Sequence, residues 1–114
     1  MVIGQGDVWW ADFPEGNGST AAYTRPAIVI QGDTFNRLSI QTTICVPLTT
    51  NLDLADLDGN VLLTSTETGL GKDSVAVLHL TQAIDRRALR DRVGRVSAEA
   101  VHALLAALDV VLGR

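Results

Sequence analysis

The chain contains little cysteine, few aromatic residues and no long apolar run. Its 114 residues include one cysteine, and only 4% of them are phenylalanine, tryptophan or tyrosine. A single cysteine excludes an intramolecular disulfide framework and a paired-cysteine zinc site. No stretch approaches the roughly 18 consecutive apolar residues of a transmembrane helix, and no basic segment precedes the first apolar stretch. We therefore expect a cytoplasmic protein without a signal peptide and without membrane contact.

The composition is that of one globular domain. Hydrophobic residues make up 46% of the chain and charged residues 19%, and a chain of this length can fold around one core. Neither an internal repeat nor a linker divides it, so we expect residues 1–114 to form a single domain. Cys45 lies in the apolar stretch 44–46, which predicts a buried strand residue rather than a catalytic thiol.

Positive charge is also scarce. Nine lysines and arginines stand against thirteen acidic residues, which gives a net charge of −4 and argues against a polyanionic partner. Five of the nine basic residues, however, fall within residues 86–95, and three aspartates cluster at residues 53–58. Separated charges can leave one basic face on an acidic protein. RNA binding would then depend on a few arginines and on ionic strength.

Short apolar segments between turn residues predict about six β-strands. The segments rich in β-branched and aromatic residues are 7–13, 27–31, 42–48, 61–63, 74–80 and 93–96. Residues 14–24 have the composition of a long loop. Asp33 and Asp85 are candidate caps of short helical turns.

One helix is predicted at the C-terminal end. Ser97 is its candidate N-cap, and Glu99 suits its first turn. The apolar residues with helical spacing are Val101, Leu104, Leu105, Leu108, Val111 and Leu112. Because the strands follow one another without alternating with helices, we expect a mainly β protein of the α+β class. Its architecture would be a small antiparallel, partly closed barrel packed against the helix.

No common catalytic or metal-binding motif is present. The sequence has no Walker phosphate loop, no dinucleotide-binding glycine pattern and no nucleophile elbow. Residues 56–59 resemble a calcium loop, but no glutamate closes it, so we expect no metal. His79 falls on the apolar side of its predicted strand and is expected to be packed or hydrogen-bonded. His102 lies off the apolar stripe of the helix and is expected at the surface.

Arg25 and the two threonines at positions 49 and 50 are the positions that indicate a functional site. Arg25 stands where a loop enters a strand. A guanidinium there either grips a phosphate with two parallel hydrogen bonds or forms an ordinary surface ion pair. Thr49 and Thr50 follow the predicted strand end at Leu48, where hydroxyls either donate to phosphate oxygens or satisfy a turn. These residues alone leave both alternatives open.

Seven motifs occur in the order and spacing of the MazF/PemK/Kid toxins, and the chain resembles that family over nearly its whole length. The motifs are residues 6–13 (GDVWWADF), 25–30 (RPAIVI), 33–37 (DTFNR), 46–50 (VPLTT), 72–75 (KDSV), 82–86 (QAIDR) and 93–97 (VGRVS). The resemblance implies a small antiparallel SH3-like β-barrel of the CcdB/Kid/MazF type. It also implies a homodimer that cleaves single-stranded RNA at short sequences without a metal or another cofactor, and a cognate antitoxin protein that blocks the site.

By this resemblance Arg25 is the catalytic arginine and Thr49 the catalytic threonine. The implied reaction uses the ribose 2′-hydroxyl as nucleophile and leaves a 5′-hydroxyl with a 2′,3′-cyclic phosphate or a 3′-phosphate. Fixed donors on the non-bridging oxygens would stabilise the charge that develops there. The implied substrate is mRNA, with tRNA or rRNA as alternatives. The further expected RNA contacts are Ser19, Thr20, Tyr23, Thr50 and Ser74, with Tyr23 stacking on a base.

The loop before Arg25 departs from the family pattern. Ser19 matches the family's serine, whereas Thr20 stands where many relatives have glutamate and Ala21 where they have glutamine. The resemblance therefore assigns neither the general base nor the recognised RNA sequence. Two alternatives stay open: a non-catalytic member that binds RNA or antitoxin only, and a poison of DNA gyrase like the CcdB toxins of the same barrel family.

Two expectations concern protein partners. Trp9 and Trp10 are adjacent on a predicted strand and point to opposite faces. One would serve the core and the other an exterior surface, which suits an isologous dimer. The antitoxin segment is expected to be acidic with apolar anchors and to fold on binding near Arg25 and residues 86–95.

Overall fold

A seven-stranded antiparallel sheet and a helix at its C-terminal end make up the fold. The computed structural model describes residues 2–13 and 23–114, so Ser19 and Thr20 lie outside the described residues. The strands are β1 (Asp7–Phe13), β2 (Tyr23–Val29), β3 (Thr42–Thr49), β4 (Asn60–Leu63), β5 (Ser74–Val77), β6 (Gln82–Asp85) and β7 (Leu89–Arg95). The helices are α1 (Asp33–Asn36), α2 (Ser65–Thr68) and α3 (Ala98–Val111), with 3-10 turns at Leu52–Asp56, Leu78–Leu80 and Arg86–Ala88.

Strand β3 is the centre of the sheet and pairs with three neighbours. The strand order is β4-β5-β3-β2-β1-β7, and β6 pairs with β3 outside this path. Residues 42–45 of β3 pair with β6, whereas Leu48 and Thr49 pair with β5. The predicted mainly β fold with a terminal helix is confirmed. Within the part of the chain that the structure describes, β4 and β7 do not pair, so the sheet stays open.

The two faces of the sheet carry separate apolar clusters, because alternate strand residues point to opposite sides. The first cluster joins β1, β2, β3 and β5 to the first turns of α3 and includes Val8, Ile28, Val46, Leu48, Val101 and Leu104. The second cluster includes Trp9, Ala11, Phe13, Ala27, Val29 and Cys45. Trp9 is 7% exposed and Trp10 is 38% exposed, which confirms that one indole is buried and the other faces outward.

Helix α3 begins as its cap predicts, but it buries less of its stripe than expected. The Ser97 Oγ accepts a hydrogen bond of 3.1 Å from the backbone N–H of Ala100. Burial is confined to the early part of the helix, at Ala100, Val101 and Leu104. The later stripe residues Leu105, Val111 and Leu112 are exposed in this chain. No helix of the described segments is long and apolar enough to span a membrane.

Several local expectations were wrong. Residues 74–80 do not form one strand, because β5 ends at Val77 and a 3-10 turn follows. His79 is therefore exposed on that turn and is not packed in a strand, whereas His102 is exposed as expected. Asp33 is the first residue of α1 and not its cap; Gly32 occupies the cap position. The prediction that residues 1–114 form one domain stays a prediction.

Candidate active site

The site lies where strands β2 and β3 separate. Their antiparallel ladder runs from the pair Val29–Cys45 to the pair Ala27–Pro47 and stops there. Arg25 and Thr49 each stand two residues beyond the last pair, so the same register carried on would set them opposite one another. Pro47 lies in the last pair and, as a proline, has no N–H to donate, which suits a ladder that ends at this position.

At this opening Arg25 and Thr49 no longer pair with each other's strand, but each still pairs with the strand on its other side. Arg25 pairs with Ala11 of β1, and Thr49 pairs with Val75 of β5. The backbone on both sides is therefore held by regular sheet pairing. Side chains on rigid strand ends are positioned more firmly than side chains on a loop.

A groove of about 240 Å³ fills the opening, and Arg25 and Thr49 line it together. The other lining residues are Trp10, Tyr23, Thr24, Pro26, Leu48 and Thr50. The structure thus brings the two predicted catalytic residues together with two of the predicted RNA contacts, Tyr23 and Thr50. Trp10 and Thr24 also line the groove, although sequence reasoning had not placed them there.

Ser74 lies in a neighbouring groove of about 360 Å³, not in the one that contains Arg25. The two grooves share Trp10, Pro26 and Thr50 as lining residues and are therefore contiguous. Ser74 itself is only 1% exposed. Its role as an RNA contact stays a prediction.

The Thr49 hydroxyl is oriented by its own turn. Its oxygen accepts a hydrogen bond of 3.2 Å from the backbone N–H of Asn51. A hydroxyl that accepts in this way keeps its single hydrogen for another acceptor. Thr49 is therefore suited to donate to an oxygen atom placed in the groove.

Arg25 is half-buried, and its guanidinium lies over an aromatic ring. Its Cζ lies 4.8 Å from the centroid of the Tyr23 ring. Among residues 2–13 and 23–114, Arg25 forms no ion pair with a carboxylate. Its charge is therefore not cancelled by any described neighbour.

The arginines of residues 86–95 differ from Arg25, because all five have partners within the chain. Arg87 pairs with Asp85, Arg90 with Asp12, and Arg92 and Arg95 both with Asp7. Arg86 donates 2.9 Å to the backbone oxygen of Asn36. The basic face expected from this segment is largely neutralised by aspartates from β1 and β6.

One of these pairs lies beside the groove. Asp12 accepts hydrogen bonds from the Thr24 hydroxyl at 2.6 Å and from the Arg90 Nε at 2.7 Å. The hydrogen bond from Thr24, and then that from Arg90, lower the pKa of Asp12 below its usual value. Asp12 therefore stays ionised at neutral pH and holds Thr24 at the rim of the groove.

The described residues support neither a metal site nor a catalytic thiol. No group of three or more histidine, cysteine, aspartate or glutamate side chains comes together there in a way that would hold a metal ion. Cys45 is fully buried, which confirms its predicted place in a strand. Burial raises the pKa of its thiol to about 12, so it is not a nucleophile in the folded protein.

Known proteins resemble this chain in sequence and in structure. Residues 4–112 match the family described as PemK-like, MazF-like toxin of type II toxin-antitoxin system. Endoribonuclease MazF6 of Mycobacterium tuberculosis is 39% identical over 102 residues, which cover 90% of each chain. Endoribonuclease EndoA of Bacillus subtilis is 32% identical over 112 residues, covering 98% of this chain and 96% of that protein.

Solved structures share the fold at lower sequence identity. MazF from Deinococcus radiodurans superposes with a TM-score of 0.79 at 20% identity, covering 100% of this chain and 99% of that chain. A mycobacterial endoribonuclease in complex with its cognate antitoxin gives a TM-score of 0.72 at 20% identity, covering 98% and 94%. These likenesses support the open antiparallel sheet with its terminal helix.

Proposed function

Because the chain belongs to the PemK-like, MazF-like toxins of type II toxin–antitoxin systems, we propose that the groove between β2 and β3 cleaves single-stranded RNA. Relatives at 39% and 32% identity are named endoribonucleases, and this chain is accordingly an endoribonuclease toxin. The observation that carries the site assignment is the groove itself. It brings together Arg25, which has no carboxylate partner among the described residues, and Thr49, whose hydroxyl hydrogen is available.

In the proposed reaction the ribose 2′-hydroxyl gives up its proton to solvent, and its oxygen attacks the adjacent phosphorus atom. The bond from the 2′-oxygen to phosphorus forms, the bond from phosphorus to the 5′-oxygen breaks, and the leaving 5′-oxygen takes up a proton. Negative charge builds on the non-bridging oxygens in the transition state. Arg25 offers a permanent positive charge with several N–H donors, and Thr49 offers a neutral O–H donor. Neither role requires a metal ion.

The products would be a 5′-hydroxyl end and a 2′,3′-cyclic phosphate, which can open to a 3′-phosphate. DNA lacks the 2′-hydroxyl nucleophile and would not be cut. Cleavage at short sequences in mRNA would stop translation and growth. Ser19, Thr20, Thr50 and Ser74 stay the predicted further contacts to RNA, whereas the contact of the Tyr23 ring with Arg25 favours a different role for that residue.

Two protein partners belong to the proposal. A structural neighbour is described in complex with its cognate antitoxin, and we expect a cognate antitoxin to block this groove as well. We also expect an isologous homodimer in the cytoplasm. Exposed apolar residues on α3 and the outward Trp10 support an interface. Light scattering at micromolar concentration should give twice the mass of the chain, and a monomeric mass would contradict the dimer.

The experiment compares Arg25→Ala and Thr49→Val with the parent protein on single-stranded RNA in the presence of a chelator. Loss of a donor to the transition state typically costs about 10²–10³ in rate, so both variants should cleave at least about a hundredfold more slowly. Arg114→Ala is the matched control for Arg25, because it removes the same charge from an exposed ion pair at the end of the chain.

The RNA ends identify the chemistry. Products carrying 5′-hydroxyl ends, formed with the chelator present and lost in Arg25→Ala, support the proposal. Cleavage by Arg25→Ala at the parent rate would contradict the site assignment. Binding of RNA by the parent without cleavage would favour a non-catalytic family member, and inhibition of gyrase supercoiling would favour a gyrase poison.

A further inference from the structure

Tyr23 contacts the proposed catalytic arginine directly. Tyr23 and Arg25 are two residues apart on β2, so their side chains leave the same face of the strand. The Arg25 Cζ lies 4.8 Å from the centroid of the Tyr23 ring. This distance is within the range of about 6 Å over which an aromatic face attracts a cation.

The Tyr23 ring is itself supported by the core. Phe13 is its partner in the register of β1 and β2, and Phe13 is only 1% exposed. The two ring centroids are 6.2 Å apart and the ring planes meet at 29°, an offset-stacked arrangement. A continuous series of contacts therefore runs from the buried Phe13 through Tyr23 to the Arg25 guanidinium in the groove.

An aromatic support has a chemical advantage over a carboxylate at this position. Arg90 on β7 is held by Asp12 at 2.7 Å, and this ion pair offsets its charge and occupies its Nε–H donor. A ring face attracts the guanidinium through its quadrupole and leaves the positive charge in place. The N–H donors of Arg25 stay available for the two parallel hydrogen bonds that a phosphate accepts.

We propose that Tyr23 is a positioning residue that holds the Arg25 guanidinium toward the scissile phosphate, and not a platform on which an RNA base stacks. This inference rests on the catalytic role proposed for Arg25. Phe13 and Arg25 both contact the Tyr23 ring, so less of its π surface is left for a base to stack on. Tyr23 acts on RNA through the arginine.

A measurement without RNA tests the contact itself. An aromatic ring shifts the NMR resonance of a proton above its face upfield, so the Arg25 Nε–H signal should lie upfield of the other arginine signals. Its assignment comes from its loss in Arg25→Ala. The shift should persist in Tyr23→Phe and disappear in Tyr23→Leu. An Arg25 signal at the ordinary position in the parent protein would overturn the proposal, even if the leucine variant did not fold.

Single-turnover kinetics test the consequence. Tyr23→Leu should slow cleavage about three- to thirtyfold, the rate equivalent of a cation–π contact. The affinity for an uncleavable RNA with a 2′-deoxyribose at the scissile position should change less than twofold. Tyr23→Phe should recover most of the rate, because it keeps the ring. Phe35→Leu is the control, because it removes an exposed aromatic ring from α1.

The possible results distinguish a positioning role of Tyr23 from base stacking. They also distinguish failure of the Tyr23 proposal from failure of the catalytic role proposed for Arg25. Suppose that Tyr23→Leu binds the uncleavable RNA more weakly but cleaves the cleavable RNA at the parent rate at saturation. This result would show direct base stacking and overturn the positioning role. Parent rate and parent affinity in Tyr23→Leu would overturn it as well. Failure of the proposed function would appear elsewhere, as cleavage by Arg25→Ala at the parent rate.

Discussion

Replacement of Asp7 by asparagine should remove a large part of the stability of the fold. The carboxylate is 1% exposed. Its Oδ2 accepts from the backbone N–H of Gly4 at 2.8 Å and from the Trp9 indole N–H at 3.3 Å. Its Oδ1 lies 3.2 Å from the Arg92 Nε and 3.1 Å from the Arg95 Nε. The side chain therefore joins the N-terminal segment and β1 to the end of β7.

The expected loss in the free energy of unfolding depends on which of the four N–H donors around Asp7 stay buried in the asparagine variant. In either orientation the asparagine NH₂ group faces N–H donors, either those of Gly4 and Trp9 or those of Arg92 and Arg95. Two favourable contacts then become unfavourable. Breaking a buried charge pair costs about 3–5 kcal/mol. The side chains of Arg92 and Arg95 are 46% and 56% exposed and regain water, which places the expected loss near the lower limit, about 3 kcal/mol. The corresponding fall in Tm is about 10–20 °C.

Urea unfolding followed by tryptophan fluorescence measures this loss. Asp7→Asn should lower the urea midpoint without changing the slope, because the surface exposed on unfolding is the same. Asp91→Asn is the matched control: it makes the same change on β7 at an exposed residue and should alter stability by less than about 0.5 kcal/mol. Equal midpoints for the two variants would refute the reasoning, since burial of Asp7 would then contribute nothing.

Two further predictions concern titration and thiol chemistry. Hydrogen bonds from Arg87 lower the pKa of Asp85 from 3.8 to about 2, so its stabilising effect is full above the unfolded pKa and is lost as the pH falls from about 4 through about 2. Asp85→Asn should therefore weaken the dependence of the urea midpoint on pH in this window, and an unchanged acid profile would contradict the assignment. Cys45, with its pKa raised to about 12, should resist a thiol reagent at pH 8 in native buffer and react once urea unfolds the chain. Rapid labelling of the native protein would show that the thiol is accessible.

The sequence predicted the ends of the chain better than its middle. Strand β1 has the bounds expected from its aromatic and β-branched residues, and α3 follows the Ser97 cap. Local signals suffice in both cases. The last turns of α3 show the limit, because the apolar spacing of Leu105 and Leu112 continues where this chain provides no core to bury it.

The elements that sequence reasoning missed are short and depend on tertiary pairing. Strand β6 has four residues, Gln82–Asp85, and exists as a strand because it pairs with residues 42–45 of β3. Helix α2 had a readable signal. Thr64 and Glu67 form a capping box at Ser65–Thr68, and the threonine–x–x–glutamate pattern was present in the sequence.

The candidate site was predicted in part. Arg25 and Thr49 were singled out by their positions at strand ends, and a family resemblance gave them their catalytic roles. The groove brings them together because their strands separate beyond the pair Ala27–Pro47. Strand β2 begins at Tyr23, earlier than the predicted start at residue 27. This extension places Tyr23 on the same strand face as Arg25. It depends on pairing with β1, which no local signal in residues 23–26 reveals.

The pairing of β1 with β7 has a consequence for the order in which the molecule can assemble. Residues 7–11 find their second neighbour only in residues 89–95, so loop closure over most of the polypeptide must precede that pairing. Contacts of such high sequence separation slow folding. A chain emerging from the ribosome presents β2 with its Arg25 long before β7 exists to complete β1. The sheet that bears the groove is therefore completed only after β7 has been made, which delays the moment at which a newly made molecule becomes harmful to its cell.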